Sequence, residues 1–253
     1  MIVAEGVPEL GELFNFRNGL WGIPGFSWSV LSMLVAFVIV AAFMLTAFRK
    51  QAVIPSGYQL VGESVIGFVR KDIAGQVIGH DSERFVPYLT TLFLLIFGFN
   101  IMEITPGVSF PATSKIAVPL FLAILSYLVF NFQGLRVQGV LHYFKNIALP
   151  PGVPWWLKPL LLVIELLSIL VIRPITLTLR LTFNMLAGHL ILSLVGVLCA
   201  GLWAASWKIA FLPFAIVIGT ALTGFELFVA FLQAFIFTIL TALYIGGALN
   251  PEH

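Results

Sequence analysis

The sequence predicts an all-α integral membrane protein with about five transmembrane helices and one interfacial amphipathic helix. Three observations predict it. Of 253 residues, 60% are hydrophobic and only 9% charged, with a mean hydropathy of +1.07. An ordinary soluble domain is about a quarter charged, and a surface facing water needs more polar groups than this chain has. The apolar residues gather in runs of about 20 or more, the length a helix needs to cross a hydrocarbon core about 30 Å thick. Those runs end on charged or proline-bearing segments.

Residues 1–27 form a polar tail on the outer side. Glu5, Glu9 and Glu12 precede the single basic Arg17, whereas a signal peptide opens with a basic region followed at once by an apolar one. The first span is 28–48, closed by Arg49 and Lys50. Between the first two spans, residues 56–79 place Val61, Val65, Phe68, Val69, Ile73 and Val77 at helical spacing, with Glu63, Arg70, Lys71 and Asp72 between them. That pattern suits a helix lying on the cytoplasmic interface. A helix packed on a partner would read the same way.

The second span is 85–104, between Arg84 and the run Glu103-Ile104-Thr105-Pro106. The third is 116–133, between Lys115 and Arg136. The segment Ala148-Leu-Pro-Pro-Gly-Val-Pro-Trp-Trp is a stiff turn, with Trp155 and Trp156 placed to anchor at lipid headgroups. Two longer runs follow. Residues 159–200 are broken only by Glu165, Arg173 and Arg180, and residues 209–248 only by Glu226. As straight helices they would each be about 60 Å long, twice the membrane core. Neither holds a polar or Gly/Pro turn in its middle, and Pro174 is expected to kink its helix rather than end it. Two long, tilted, antiparallel helices result, and residues 1–253 form a single membrane domain.

Orientation follows the basic residues. Arg49, Lys50, Arg70, Lys71, Arg84, Arg136, Lys145 and Lys158 fall on one side, and Arg17, Lys115 and Lys208 on the other. The positive-inside rule puts the N-terminus outside and the C-terminus in the cytoplasm. With 13 basic residues against 11 acidic ones and no dense basic block, nucleic acid is not an expected partner. The lone Cys199 excludes an intrachain disulfide or a zinc cluster. No phosphate-binding loop, zinc-protease pair or nucleophile elbow occurs, so nucleotide binding and hydrolysis are not expected of this chain, nor a metal or cofactor.

Ionisable groups within apolar helices are costly, about 2.5–3.5 kcal/mol each on insertion scales, and mark function by default. Four stand out: Glu165, Arg180, His189 and Glu226. At 100° per residue, Thr176, Arg180 and Asn184 form one polar stripe. Arginine holds its proton under essentially all conditions, so Arg180 can be a fixed positive wall or a partner for a visiting carboxylate, but not a relay. A structural ion pair with Glu226 or Glu165 is the alternative. His189 lies half a turn round from Arg180. Glu226, Gln233 and Tyr244 share a face of the last helix. A histidine and a glutamate on neighbouring helices suit a protonatable relay; a core histidine satisfied by its surroundings is the other reading. Asn100, Glu103 and Ser109 suit the mouth of an aqueous inlet, or simply a solvated helix end.

The run Arg173-Pro174-Ile-Thr-Leu-Thr-Leu-Arg180-Leu-Thr-Phe-Asn184-Met-Leu-Ala-Gly188-His189 resembles the signature of the a subunits of rotary F-type ATP synthases. The run Leu232-Gln233-Ala-Phe-Ile-Phe-Thr-Ile-Leu-Thr-Ala-Leu-Tyr244 is similar to that family's last helix. The likeness covers about residues 159–249 and is fainter at Asn100-Ile-Met-Glu103. It implies a stator proton-channel subunit of the Fo sector in a bacterial cell membrane, partnered by a c-subunit ring, a b-subunit stalk and, indirectly, the F1 head. Arg180 falls on the family's essential arginine, which faces the ring, separates two half-channels and displaces the proton from a ring carboxylate. His189 and Glu226 match its paired relay groups, and Asn184 and Gln233 the polar positions flanking the arginine. Asn100 and Glu103 match the outer half-channel, and Glu165 a position of the inner one. Phe183 stands where a small residue is common, and Glu165 is one residue further from the Arg-Pro pair than in many relatives. A free-standing proton-coupled transporter and a scaffold with structural ion pairs are the competing functions.

Overall fold

The structure is a computed structural model that describes residues 28–49, 52–105, 116–139, 143, 157–204 and 208–249. It is all-α, and no strand occurs among the described residues. Helix α1 is Trp28–Ala47, α2 Tyr58–Phe68, α3 Gly75–Val77, α4 Val86–Ile104, α5 Ala117–Gln138, α6 Lys158–Leu167, α7 Arg173–Ala204 and α8 Leu212–Leu249. Among the described residues, four helical stretches are long and apolar enough to cross a membrane: Val30–Ala47, Ala117–Gln138, Arg173–Trp203 and Leu212–Leu249. The apolar part of α4, Val86–Met102, is shorter.

Proline marks where these helices begin. Pro87, Pro159, Pro174 and Pro213 are each the second residue of their helix. There the missing N–H is one that no turn would have used, and the ring already holds a helical φ. At Pro174 the chain arrives from α6 already helical, so the ring meets a preceding turn. That turn is widened into a π-helix, Ser168–Ile172, immediately before Arg173. The π turn opens room for a proline inside a continuous helical run, and Pro174 does not end the helix. Helix α5 runs to Gln138, past the expected end at 133. It stops at Gly139, whose φ of 76° disfavours any residue with a Cβ.

Helix α8 is the centre of the molecule, packed on α4, α5 and α7. In lipid there is no hydrophobic drive between apolar helices, so close backbone approach and dispersion must hold them. The sequence supplies the means. Ala230, Ala234, Thr238, Ala242 and Gly246 recur every four residues along α8, and all are buried. The neighbouring row Gln233, Phe237, Thr241 and Ile245 is buried as well. Rings of Phe68, Phe93, Phe97, Phe231 and Phe235 interlock at centroid distances of 5.7–6.2 Å. The offset and edge-on arrangement is the one aromatic quadrupoles favour.

The amphipathic segment expected at 56–79 is helical from Tyr58 to Val77, with a π turn over Val69–Ala74. Its apolar face is turned onto the long helices of the same chain. Val69, Ile73 and Ala74 are fully buried, whereas Tyr58, Leu60 and Val61 are exposed. Gly246 of α8 lies so near the backbone carbonyl of Val77 that a Cβ there would be 2.8 Å from the oxygen.

Candidate functional site

The candidate groups whose side chains are described lie on three helices. Helix α7 contributes Thr176, Arg180, Asn184, Gly188 and His189; α8 contributes Glu226, Gln233 and Tyr244; α4 contributes Asn100. Contacts between α7 and α8 descend along one as they ascend along the other. Asn184 meets Gln233, Gly188 meets Glu226, and Val195 meets Gly219.

Asn184 Nδ2 donates to Gln233 Oε1 at 2.8 Å, joining positions 49 residues apart on the two long helices. Gln233 is only 1% exposed, and its Nε2 has no hydrogen-bond partner. One turn away on α8, the Ala230 carbonyl accepts from Asn100 Nδ2 at 3.4 Å. Asn100 is fully buried, and its Oδ1 is unpartnered. Leaving a buried polar atom unsatisfied costs about 1–3 kcal/mol. Two such atoms on adjoining helices make a polar seam between α4 and α8.

Glu226 is 6% exposed and lies directly against Gly188. A Cβ at Gly188 would stand 2.5 Å from Glu226 Oε2 and 2.8 Å from its Cδ. The carboxyl group occupies space that only glycine leaves open. His189 is the next residue along α7 and is half-buried.

Arg180 stands one turn before Asn184 on α7. It is exposed on α7 between Thr176 and Asn184, on a face continued by Phe183, Ile191 and Leu194. It forms no ion pair with Glu226, while the Glu165 side chain lies outside the described residues. Thr176 shares the face, but its hydroxyl is turned to its own helix, donating to Ile172 O at 2.8 Å. Tyr244 belongs to a separate contact. The Arg173 guanidinium carbon sits 4.8 Å above its ring, a cation–π arrangement. The side chains of Glu103 and Glu165 lie outside the described residues, as do Ser109, Trp155 and Trp156. Among the described residues no group of three or more His, Cys, Asp or Glu side chains could hold a metal ion.

Two participants were not singled out from the sequence. Gly188 was visible as part of a motif, and a glycine inside a helix costs about 1 kcal/mol relative to alanine, which is a signal of close approach. The Ala230 carbonyl left no trace, because backbone acceptors are invisible in side-chain patterns.

The family described as ATP synthase A chain matches residues 30–246. The chain belongs to the ATP synthase subunit a family. ATP synthase subunit a of Parafrankia sp. (strain EAN1pec) is 43% identical over 226 residues, spanning 89% of this chain and 76% of that one. The subunit a of Rhodococcus erythropolis (strain PR4 / NBRC 100887) is 39% identical over 226 residues, 88% of this chain and 82% of that one. That of Methylobacterium sp. (strain 4-46) is 39% identical over 246 residues, 97% and 96% of the two chains. Every candidate residue of the site lies within the matched span. As a subunit a, the chain is a multi-pass membrane component of ATP synthesis and proton transport, without a nucleotide-hydrolysing site of its own.

Proposed function

We propose that this chain is the stator half of a rotary proton motor. It provides two offset half-channels to the carboxylates of a c-subunit ring, and Arg180 is the charge gate between them. The observation that carries this reading is Arg180 itself, an exposed cation on an apolar helix face with no carboxylate partner among the described residues. At membrane depth such a charge costs about 2.5–3.5 kcal/mol on insertion scales. A ring carboxylate sweeping past that face supplies the missing partner.

The polar seam behind the face gives the proton its route. Asn100, Gln233 and Asn184 line the approach, with Glu103 at the outer mouth, and His189 and Glu226 exchange the proton across the α7–α8 contact. Glu165 serves the inner half-channel. Thr176 shapes the gate face below Arg180, and Tyr244 holds Arg173 at the inner end. A unit charge crossing the membrane yields about 2.3 kcal/mol per 100 mV, and only two paths that never join can harvest it. A permanent positive charge between them repels a proton attempting the short circuit and attracts a deprotonated ring carboxylate.

The geometry proposed for the membrane is five spans, N-terminus outside, with α7 and α8 antiparallel and steeply tilted. The descending order of their contacts supports the antiparallel course. The 38 residues of α8 support the tilt, since they make about 57 Å of helix across about 30 Å of hydrocarbon. The apolar exposed faces of α7 and α8 would meet the ring, and a b-subunit stalk would hold the chain against rotation beneath an F1 head. The membrane proposed is the bacterial plasma membrane.

The test is to tag the chain, extract it in a mild detergent and identify what accompanies it. Recovery with a proteolipid ring and a soluble ATPase head is expected. Recovery alone or as a homo-oligomer, from membranes that retain those partners, would favour a free-standing transporter instead.

A further inference from the structure

Away from the α7–α8 contact, a cleft of about 280 Å³ opens between α1, the π turn after α2 and the start of α4. Met44, Ile66 and Val86 form apolar walls, and Arg70 and Glu83 stand at the mouth. Arg70 Nε and Glu83 Oε1 form an ion pair at 3.2 Å, and both side chains are more than half exposed. Inside is Thr90, 3% exposed, whose hydroxyl has no partner. That is unusual within this molecule. Every other described threonine returns its hydroxyl to a carbonyl three or four residues earlier, including its neighbour Thr91, which donates to Pro87 O at 2.8 Å. Back-bonding is the default for a helical threonine in an apolar setting. Thr90 forgoes it in a cleft that it lines.

We infer that this cleft binds one zwitterionic aminophospholipid, of the phosphatidylethanolamine class, by its headgroup and glycerol ester. The cleft lies at the ends of membrane helices, where apolar walls meet charged residues, as acyl chain meets headgroup in a bilayer. Charge complementarity selects the headgroup. Beyond that contact the exposed guanidinium of Arg70 offers N–H donors to a phosphate, and the exposed carboxylate of Glu83 offers acceptor capacity to an ammonium. A purely anionic headgroup would meet Glu83 with like charge. The Thr90 hydroxyl, deeper in the cleft, donates to an ester carbonyl, and Met44, Ile66 and Val86 take the first carbons of the acyl chain. The inference does not depend on the gate role of Arg180.

The experiment uses the complete ATP synthase, reconstituted in equal parts phosphatidylethanolamine, phosphatidylcholine and phosphatidylglycerol. Each lipid in turn carries a photoactivatable group near its ester. Peptides containing Met44 and Ile66 are expected to be labelled at least about fivefold more by phosphatidylethanolamine than by the other two, the worth of one net hydrogen bond. Thr90→Val, an isosteric change that removes an unsatisfied hydroxyl, should keep the fold and lower that labelling about fivefold. Glu83→Gln should erase the preference over phosphatidylglycerol. Equal labelling by the three lipids, a preference for phosphatidylglycerol, or unchanged labelling in Thr90→Val would overturn the inference.

Discussion

Replacing Gly188 by alanine puts a methyl group where the Glu226 carboxyl group now lies. The new Cβ would be 2.5 Å from Oε2, and ordinary contact begins at 3.4 Å, so the carboxyl end must retreat by about 0.9 Å. Because the obstructing atoms are the far end of a flexible side chain, the fold can yield. Alanine also regains about 1 kcal/mol of helix propensity, which offsets much of the roughly 1–3 kcal/mol that overpacking costs. Assembly should therefore survive. Proton transfer should not, because a misplacement of about 1 Å in a transfer site can cost on the order of a hundredfold. The assay is ATP-driven acidification of vesicles carrying the whole complex, with hydrolysis by the detached head as control. A ten- to hundredfold slower acidification at unchanged hydrolysis is expected. Glu226→Asp added to Gly188→Ala shortens the acid by one methylene and should recover part of the rate. Acidification within about twofold of the unmodified complex would refute the reasoning that the 188–226 contact positions a proton carrier.

Glu226→Gln and His189→Ala should each slow vesicle acidification about tenfold or more without altering hydrolysis by the detached head, in line with the worth of a positioned acid–base group. Normal pumping in both would remove them from the relay. Gln233→Leu keeps the volume and deletes an unsatisfied buried nitrogen, so thermal stability should change by less than about 1 kcal/mol. Acidification should still fall severalfold as Asn184 loses its acceptor, and an unchanged rate would exclude the seam as a path. Gly246→Ala drives a Cβ to 2.8 Å from the rigid Val77 carbonyl, so α8 must shift. A loss of about 1–3 kcal/mol is expected, read as a lower melting temperature of the extracted complex.

The helices were legible because membrane physics leaves few options. An apolar run about 20 residues long must satisfy its own backbone, and charges and prolines bound it. The polar stripe Thr176, Arg180 and Asn184 was legible for the same reason, since helical period places side chains and charges are rare in lipid. Pairing was not. Nothing at Gln233 says that its partner is Asn184, because that contact depends on the register of two long helices. The small residues at which the two helices meet, Gly188 against Glu226 and Gly219 against Val195, look in sequence like ordinary apolar filler. The burial of Val69, Ile73 and Ala74 was equally hidden, since an amphipathic face reads alike whether it meets lipid or protein. The Ser168–Ile172 π turn follows from Pro174 only once the preceding segment is known to be helical.

The most direct measurement concerns Arg180. Arg180→Ala, built into the complete ATP synthase, is tested for assembly by recovery with the ring and head, then for ATP-driven vesicle acidification. If Arg180 is the gate, the complex assembles and coupled acidification falls by about a hundredfold or more. That is the rate equivalent of the roughly 3 kcal/mol a charge commands at membrane depth. Full assembly with normal acidification would contradict the gate outright. Failed assembly, with normal acidification by whatever complex survives, would make Arg180 a structural cation instead.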